Sequence, residues 1–162
     1  VCNARVIYKN GAGVGTVIEV RDVTDERRAA AAVRAAAERF RTLTEAVPQM
    51  VWTADPKGEV TFFNRRWDEY TGLPLGQGRN LGWDGVVHPD DAERLRGEWQ
   101  LAVASQPDRF THEFRLRRAE DGAYRWMLSA AVPLRDSGGA VAEWVGSITD
   151  IDDQKRQAET LK

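Results

Sequence analysis

The sequence predicts an α+β fold built on one antiparallel sheet, and three observations carry that reading. Two short apolar segments, 49–54 and 59–63, flank an Asp55-Pro56-Lys57-Gly58 turn. Helical patterns follow, and then three alternating segments between residues 110 and 151. Two strands, then helices, then three strands in sequence give a single antiparallel sheet with helices packed on it. The third observation is a repeat. When Asp22-Val23-Thr24-Asp25 is laid on Asp150-Ile151-Asp152-Asp153, Asn10-Gly11 falls on Gly138-Gly139, Val17 on Val145 and Val20 on Ile148. Each copy is an apolar strand that runs into an acidic turn and a charged helix start. A repeat at about one domain length predicts a slice from an array of like modules.

The elements follow in order. Residues 1–24 read as the last two strands of a module, 4–8 and 14–23, with Asn10-Gly11 as the hairpin signal. The glycines at 11, 13 and 15 lack the Lys-Ser/Thr of a phosphate loop, so they read as a turn. Thr24 or Asp25 caps a helix predicted to run to Ala46, rich in Ala, Arg and Glu. Its Val33, Ala36, Phe40, Leu43 and Val47 recur at three- and four-residue steps. That seam reads either as a short dimeric coiled coil or as an amphipathic helix lying on its own domain. Pro48 stops the helix.

Asn64 is expected to cap a short helix over 65–71, closed by Gly72. Residues 73–87 are rich in glycine and proline and read as loop. His88-Pro89-Asp90-Asp91 opens a helix with Leu95, Trp99, Ala102 and Val103 on its buried stripe, ending near Ser105. Phe110, His112, Phe114 and Leu116 alternate along the next strand. Tyr124, Trp126, Leu128, Ala130 and Val132 alternate along the one after it, and 141–151 forms the last. The segments so drawn are 1–24 (end of a preceding module), 25–46 (linker helix), 47–151 (complete module) and 152–162 (start of an outgoing helix).

Composition narrows the function classes. An apolar share of 42% and a charged share of 30% describe an ordinary globular chain. A net charge of −2 offers no general attraction to nucleic acid or to acidic membranes. The single cysteine, Cys2, rules out an internal disulfide and a cysteine-based metal site. No apolar run reaches the length of about 18 residues that spans a bilayer. No serine triad, carboxylate pair or metal constellation stands out, so no residue is assigned to catalysis or to a metal.

At this point the residues resemble a known family. The stretch 40–157 is similar to PAS domains of the subgroup common in bacterial sensor proteins. The matching motifs are Ala46-Val47-Pro48-Gln49-Met50-Val51-Trp52, Asp55-Pro56-Lys57-Gly58, Phe63-Asn64-Arg65-Arg66-Trp67, Tyr70-Thr71-Gly72 and Val87-His88-Pro89-Asp90-Asp91. They continue with 114–118, with Asp121-Gly122-Ala123-Tyr124-Arg125-Trp126, and with 146–156. Residues 1–28 resemble the end of a preceding PAS domain. The resemblance implies a five-stranded antiparallel sheet of order 2-1-5-4-3, short helices on one face, and a small central pocket. It also implies that strain passes to the helix after the last strand. Asp22 and Thr24 match the family's exit motif, which ties strand to helix. The second copy has Asp150 and Asp152, so a carboxylate stands where the family has threonine.

Ligand-pocket candidates are Trp52, Phe62, Trp67, Tyr70, Trp83, Trp99, His112, Phe114 and Trp126. Such aromatics line a pocket for a planar or apolar ligand, or they fill the core and pack the outer sheet face against a linker helix. His112 reads as a polar pocket group or a satisfied core histidine. His88 reads as part of a helix start. The resemblance also implies a test for flavin photochemistry. The Gly-x-Asn-Cys-Arg-Phe-Leu-Gln motif that it needs is absent, and no second residue is placed to partner a haem. The cofactor therefore stays unnamed. Arg115, Arg117, Arg118 and Arg125 read as a solvated strand and turn face.

The resemblance implies a cytoplasmic regulatory module of a multi-PAS signalling protein. A sensor histidine kinase is expected, with a diguanylate cyclase or phosphodiesterase, or a ligand-free dimerisation spacer, as alternatives. Expected partners are a second copy through linker helices and module surface, neighbouring PAS and output domains, and a small-molecule ligand. Asp22, Thr24, Asp150 and Asp152 are the relay candidates.

Overall fold

The computed structural model describes residues 2–73, 83 and 85–160. The chain separates into two compact units, Val1–Thr42 and Leu43–Lys162. In the first unit, β1 (Cys2–Lys9) and β2 (Ala12–Val20) form an antiparallel hairpin. Asn10 and Gly11 both take positive φ at its turn, as a two-residue hairpin loop demands. β2 stops at Val20, short of the expected 23, because Asp22 turns back on the chain: its Oδ1 accepts from the Thr24 amide at 2.9 Å. Helix α1 spans Thr24–Ala46, the range its alanine-rich composition predicts.

The second unit holds β3 (Met50–Ala54), β4 (Val60–Phe63), α2 (Arg65–Thr71), α3 (Pro89–Ser105), β5 (Phe110–Arg117), β6 (Tyr124–Arg135), β7 (Val141–Asp150) and α4 (Asp152–Thr160). The five strands form one antiparallel sheet of order β4-β3-β7-β6-β5. This is the expected 2-1-5-4-3 order, with the first and last strands of the unit paired at its centre. The loop expected at 73–87 falls largely outside the described residues.

Pairing fixes the faces. Trp52 lies opposite Gly146, Ala131 opposite Gly146 on its other side, and His112 opposite Ser129. The inner face, toward α2 and α3, carries Met50, Trp52, Phe114, Met127, Ser129, Ala131, Trp144 and Ile148, all buried. One expectation is corrected here. On β6 the buried face is Met127, Ser129 and Ala131, not the set containing Trp126, Leu128 and Ala130. A central strand carries apolar residues on both faces, so its alternation has no unique sense. Small inward residues on β6 and β7 leave room for the large indoles of neighbouring elements.

Asn64 supplies a second correction. It precedes α2, but its side chain makes no cap bond. It is fully buried; its amide nitrogen donates to the carbonyls of Thr44 and Gln49, and its Oδ1 accepts from the Val51 amide. The carboxylate of Glu45 serves the helix instead, accepting from the Arg65 amide. Helix α3 is pinned to β5 by Asp91, 5% exposed, which takes a forked bond from Arg115. That contact holds the Asp91 carboxyl below the usual range.

Candidate functional site

Between the inner sheet face and the helices lies a cavity of about 60 Å³. Its walls are Trp52, Gly58, Val60, Phe63, Trp67, Trp83, Leu95, Trp99, His112, Phe114, Ser129 and Ile148. Each wall follows from local structure. Strand β3 turns Trp52 inward over Gly146. Helix α2 brings Trp67 to stack on Phe63 with ring centroids 4.0 Å apart. Helix α3 brings Leu95 and Trp99 at a four-residue step. Trp99 meets Trp52 and Trp144 edge-on, each at 5.3 Å, and its Nε1 donates to the Gly58 carbonyl at 2.9 Å. Gly58 has φ +87, and a Cβ there would lie 2.7 Å from Val103, so only glycine lets this turn close on α3.

The cavity is apolar with few polar edges. Among the described wall residues His112 is the ionisable one. Among the described residues its Nδ1 has no partner. Burial pushes its pKa down to about 4, and the charge of Arg94 adds to that. The unfolded chain has an ordinary histidine near 6.5, so it binds the extra proton between those values. The stability contribution of neutral His112 is therefore full above pH 6.5 and is lost as pH falls toward 4. Chemical denaturation at pH 7 and pH 5 should show an acid-side loss of about 2 kcal/mol. His112→Gln should flatten that slope, and an equal slope in the variant would contradict it.

A second cluster sits where β7 ends. The Asp150 Oδ1 accepts from the Asp152 amide at 3.0 Å, the counterpart of the Asp22–Thr24 turn. The helices behind the two turns open alike, with Arg27 N donating to Val23 O and Lys155 N to Ile151 O. Replacement of the family threonine by Asp152 therefore preserves the backbone turn. Arg125, only 16% exposed in its side chain, donates from Nε to Asp150 Oδ2 at 2.6 Å and from Nη2 to Asp153 at 3.0 Å. These contacts raise the Arg125 pKa further and keep it charged. Asp152 accepts from the Trp126 amide at 3.2 Å and from Arg156 Nε at 2.6 Å. Burial raises its pKa, but the Trp126 amide, Arg156 and Arg125 outweigh burial and hold it below the usual range. From α2, the Tyr70 hydroxyl donates to Asp150 Oδ2 at 3.4 Å, a long and hence weak bond. Burial, then the Asp150 charge, raises the pKa of that hydroxyl.

Six of the nine pocket candidates come together in the cavity wall: Trp52, Trp67, Trp83, Trp99, His112 and Phe114. Three do not. Phe62 pairs with Thr53 across the strands and leaves the wall to Phe63. Tyr70 faces the exit cluster. Trp126 lies on the opposite sheet face, where Lys155 Nζ of α4 sits 4.7 Å from its ring and Arg115 sits 5.3 Å away. Lys155 also pairs with Glu113 at 2.5 Å, so α4 is anchored on that outer face. Gly58, Val60, Phe63, Leu95, Ser129 and Ile148 are wall residues that the sequence did not flag as pocket candidates. Pairing with the flagged Trp52 and His112 would have located Phe63 and Ser129. The basic face is also corrected: Arg115, Arg118 and Arg125 are each committed to carboxylates, on Asp91, on Asp121 and at the exit. Among the described residues no group of three or more His, Cys, Asp or Glu is arranged to hold a metal, and no helix is long and apolar enough to cross a membrane.

The family described as PAS fold matches residues 60–148. Protein y4lL of Sinorhizobium fredii is 39% identical over 161 residues, covering 98% of this chain and 19% of that protein. The peroxide stress-activated histidine kinase mak1 of Schizosaccharomyces pombe is 37% identical over 124 residues, covering 76% of this chain and 7% of the kinase. The chain thus spans less than a fifth of either relative. Among solved structures, a PAS domain from Colwellia psychrerythraea superposes with a TM-score of 0.57 at 21% identity, covering 73% of this chain and 98% of that one. The PAS domain of the fruit-fly ELK potassium channel superposes at 0.58 with 16% identity, covering 72% and 97%. At these identities the structures speak for the fold alone.

Proposed function

Because this chain belongs to the PAS fold family, we propose that residues 47–151 form a regulatory, sensory module of a bacterial multi-PAS sensor histidine kinase. In this reading input alters the inner wall, the change leaves through Asp150, and α4 carries it toward an output domain. In this reading the module is regulatory rather than catalytic and works in the cytoplasm. The name of mak1 supports the kinase as parent.

The observation that carries the reading is that wall and exit contacts share two elements. Helix α2 sends Trp67 to the cavity and Tyr70 to Asp150. Strand β7 sends Ile148 to the cavity and ends at Asp150 two residues later. A change in the wall that moves α2 or β7 is felt at the turn where α4 begins. The relay works only if the input binds two arrangements of this junction with different affinity, and couplings of this kind are typically about 1–3 kcal/mol.

The α1 seam supplies the dimer. Val33 is 71% and Leu43 59% exposed, which suits helix pairing between two copies. Native mass spectrometry of the chain, beside its denatured mass, tests the proposal. A dimer carrying extra mass that is lost on denaturation is expected, with the mass identifying the occupant. A bare dimer would favour the dimerisation spacer. A bare monomer would contradict helix pairing.

A further inference from the structure

We propose that α4 is held on its module by an ionic latch, with Arg125 bridging the carboxylates of Asp150, Asp152 and Asp153, so that ionic strength and added charge at this junction set the helix's freedom. The inference rests on the relay reading for its biological meaning, though not for its chemistry. One side chain differs between the two exit turns, Thr24 in the first and Asp152 in the second. Thr24 has a hydroxyl, and hydrogen bonds from Thr24, side chain and amide, hold the Asp22 carboxyl below its usual range. Asp152 in the equivalent place has no proton to give and cannot donate to Asp150. Two carboxylates two residues apart repel, and Asp152 is 3% exposed, so its charge needs a partner inside the fold.

The structure supplies that partner twice. Arg125 Nη1 lies 3.8 Å from Asp152 Oδ2 while its Nε and Nη2 hold Asp150. Arg156, one turn along α4, closes on the same Asp152 oxygen at 2.6 Å. The second Asp152 oxygen accepts the Trp126 amide, so the latch binds β6, β7 and α4 at one point. Its guanidinium end is largely buried, while Arg156 and Asp153 are 71% and 76% exposed. Salt and neighbouring charges therefore reach one side of the latch. A threonine exit would be less sensitive, because it would lose the charged contacts of Asp152 with Arg125 and Arg156 and keep those of Arg125 with Asp150 and Asp153.

The test is amide hydrogen exchange of the full chain, read at Trp126, Asp152 and Lys155, at roughly 0.05 M and 0.5 M salt. Wild type is expected to lose protection at Asp152 and Lys155 as salt rises. Asp152→Thr, which installs the other turn's residue, should exchange about tenfold faster at Trp126 and Lys155 at low salt and lose part of the salt response. Protection at the Met127, Ser129 and Ile148 amides should stay, which reports an intact sheet. If Asp152→Thr does not fold, Asp153→Asn, at an exposed site, should remove part of the salt response alone. Unchanged protection and an unchanged salt response in either folded variant would overturn the latch. Failure of the relay reading would show differently: the latch results would hold while wall changes left α4 unmoved.

Discussion

Gly146→Ala is expected to destabilise the module by about 3 kcal/mol and to dislodge Trp52. Gly146 lies on β7 at the sheet centre, paired with Trp52 on one side and Ala131 on the other. A Cβ at Gly146 would lie 2.2 Å from Trp52 Cε2, 2.4 Å from Cζ2 and 2.6 Å from Nε1. These distances are far inside van der Waals contact, and the atoms belong to a rigid ring. Strand β7 is bonded on both edges and cannot retreat, while Trp99 stands edge-on against Trp52 at 5.3 Å. The indole must leave its rotamer, lose burial and give up an aromatic contact. Urea midpoints followed by far-ultraviolet dichroism measure the cost. Gly97→Ala is the control, because nothing lies within 4 Å of its added methyl and a helix interior prefers alanine. A Gly146→Ala midpoint equal to wild type would mean that Trp52 is free to move, and the packed wall would be wrong.

Asp150→Ala should produce the largest functional effect with a modest structural one. It removes the acceptor for Arg125, for the Asp152 amide and for Tyr70 together. Its side chain is 31% exposed, so water replaces part of what is lost, and the stability cost is about 1–2 kcal/mol. Output in a parent carrying a kinase domain should become independent of input, with a folded sheet. Autophosphorylation with and without the stimulus reads this. A stimulus response of normal size in Asp150→Ala would remove Asp150 from the relay.

The fold was legible because most elements carry a one-sided signal. Strand β5 alternates Phe110, His112, Phe114 and Leu116 against polar residues, and α3 carries Pro89 at its start and Leu95, Trp99 and Ala102 on one stripe. Where that signal is two-sided the reading fails. Strand β6 is apolar on both faces, and only its register with β7 tells that Ser129 points in and Trp126 out. The exit turn was legible from the repeat, since Asp22 and Asp150 stand in equivalent places. Arg125 was not, because a lone arginine beside a turn has the same local pattern whether it is solvated or clamped by carboxylates 25 residues away. Asn64 misled for a similar reason: an asparagine before a helix has the sequence signal of a cap, and only tertiary packing turns it toward Thr44, Gln49 and Val51.

If wall and outgoing helix are coupled through Asp150, the coupling is read directly in the amide chemical shifts of Asp152 and Lys155 when the wall is altered by Gly146→Ala, in the presence and absence of Asp150→Ala. The wall change is expected to move both amides, and Asp150→Ala to abolish the movement while Trp52 is still displaced. Shifts confined to the neighbours of Trp52, with Asp152 and Lys155 unmoved in both backgrounds, would contradict it.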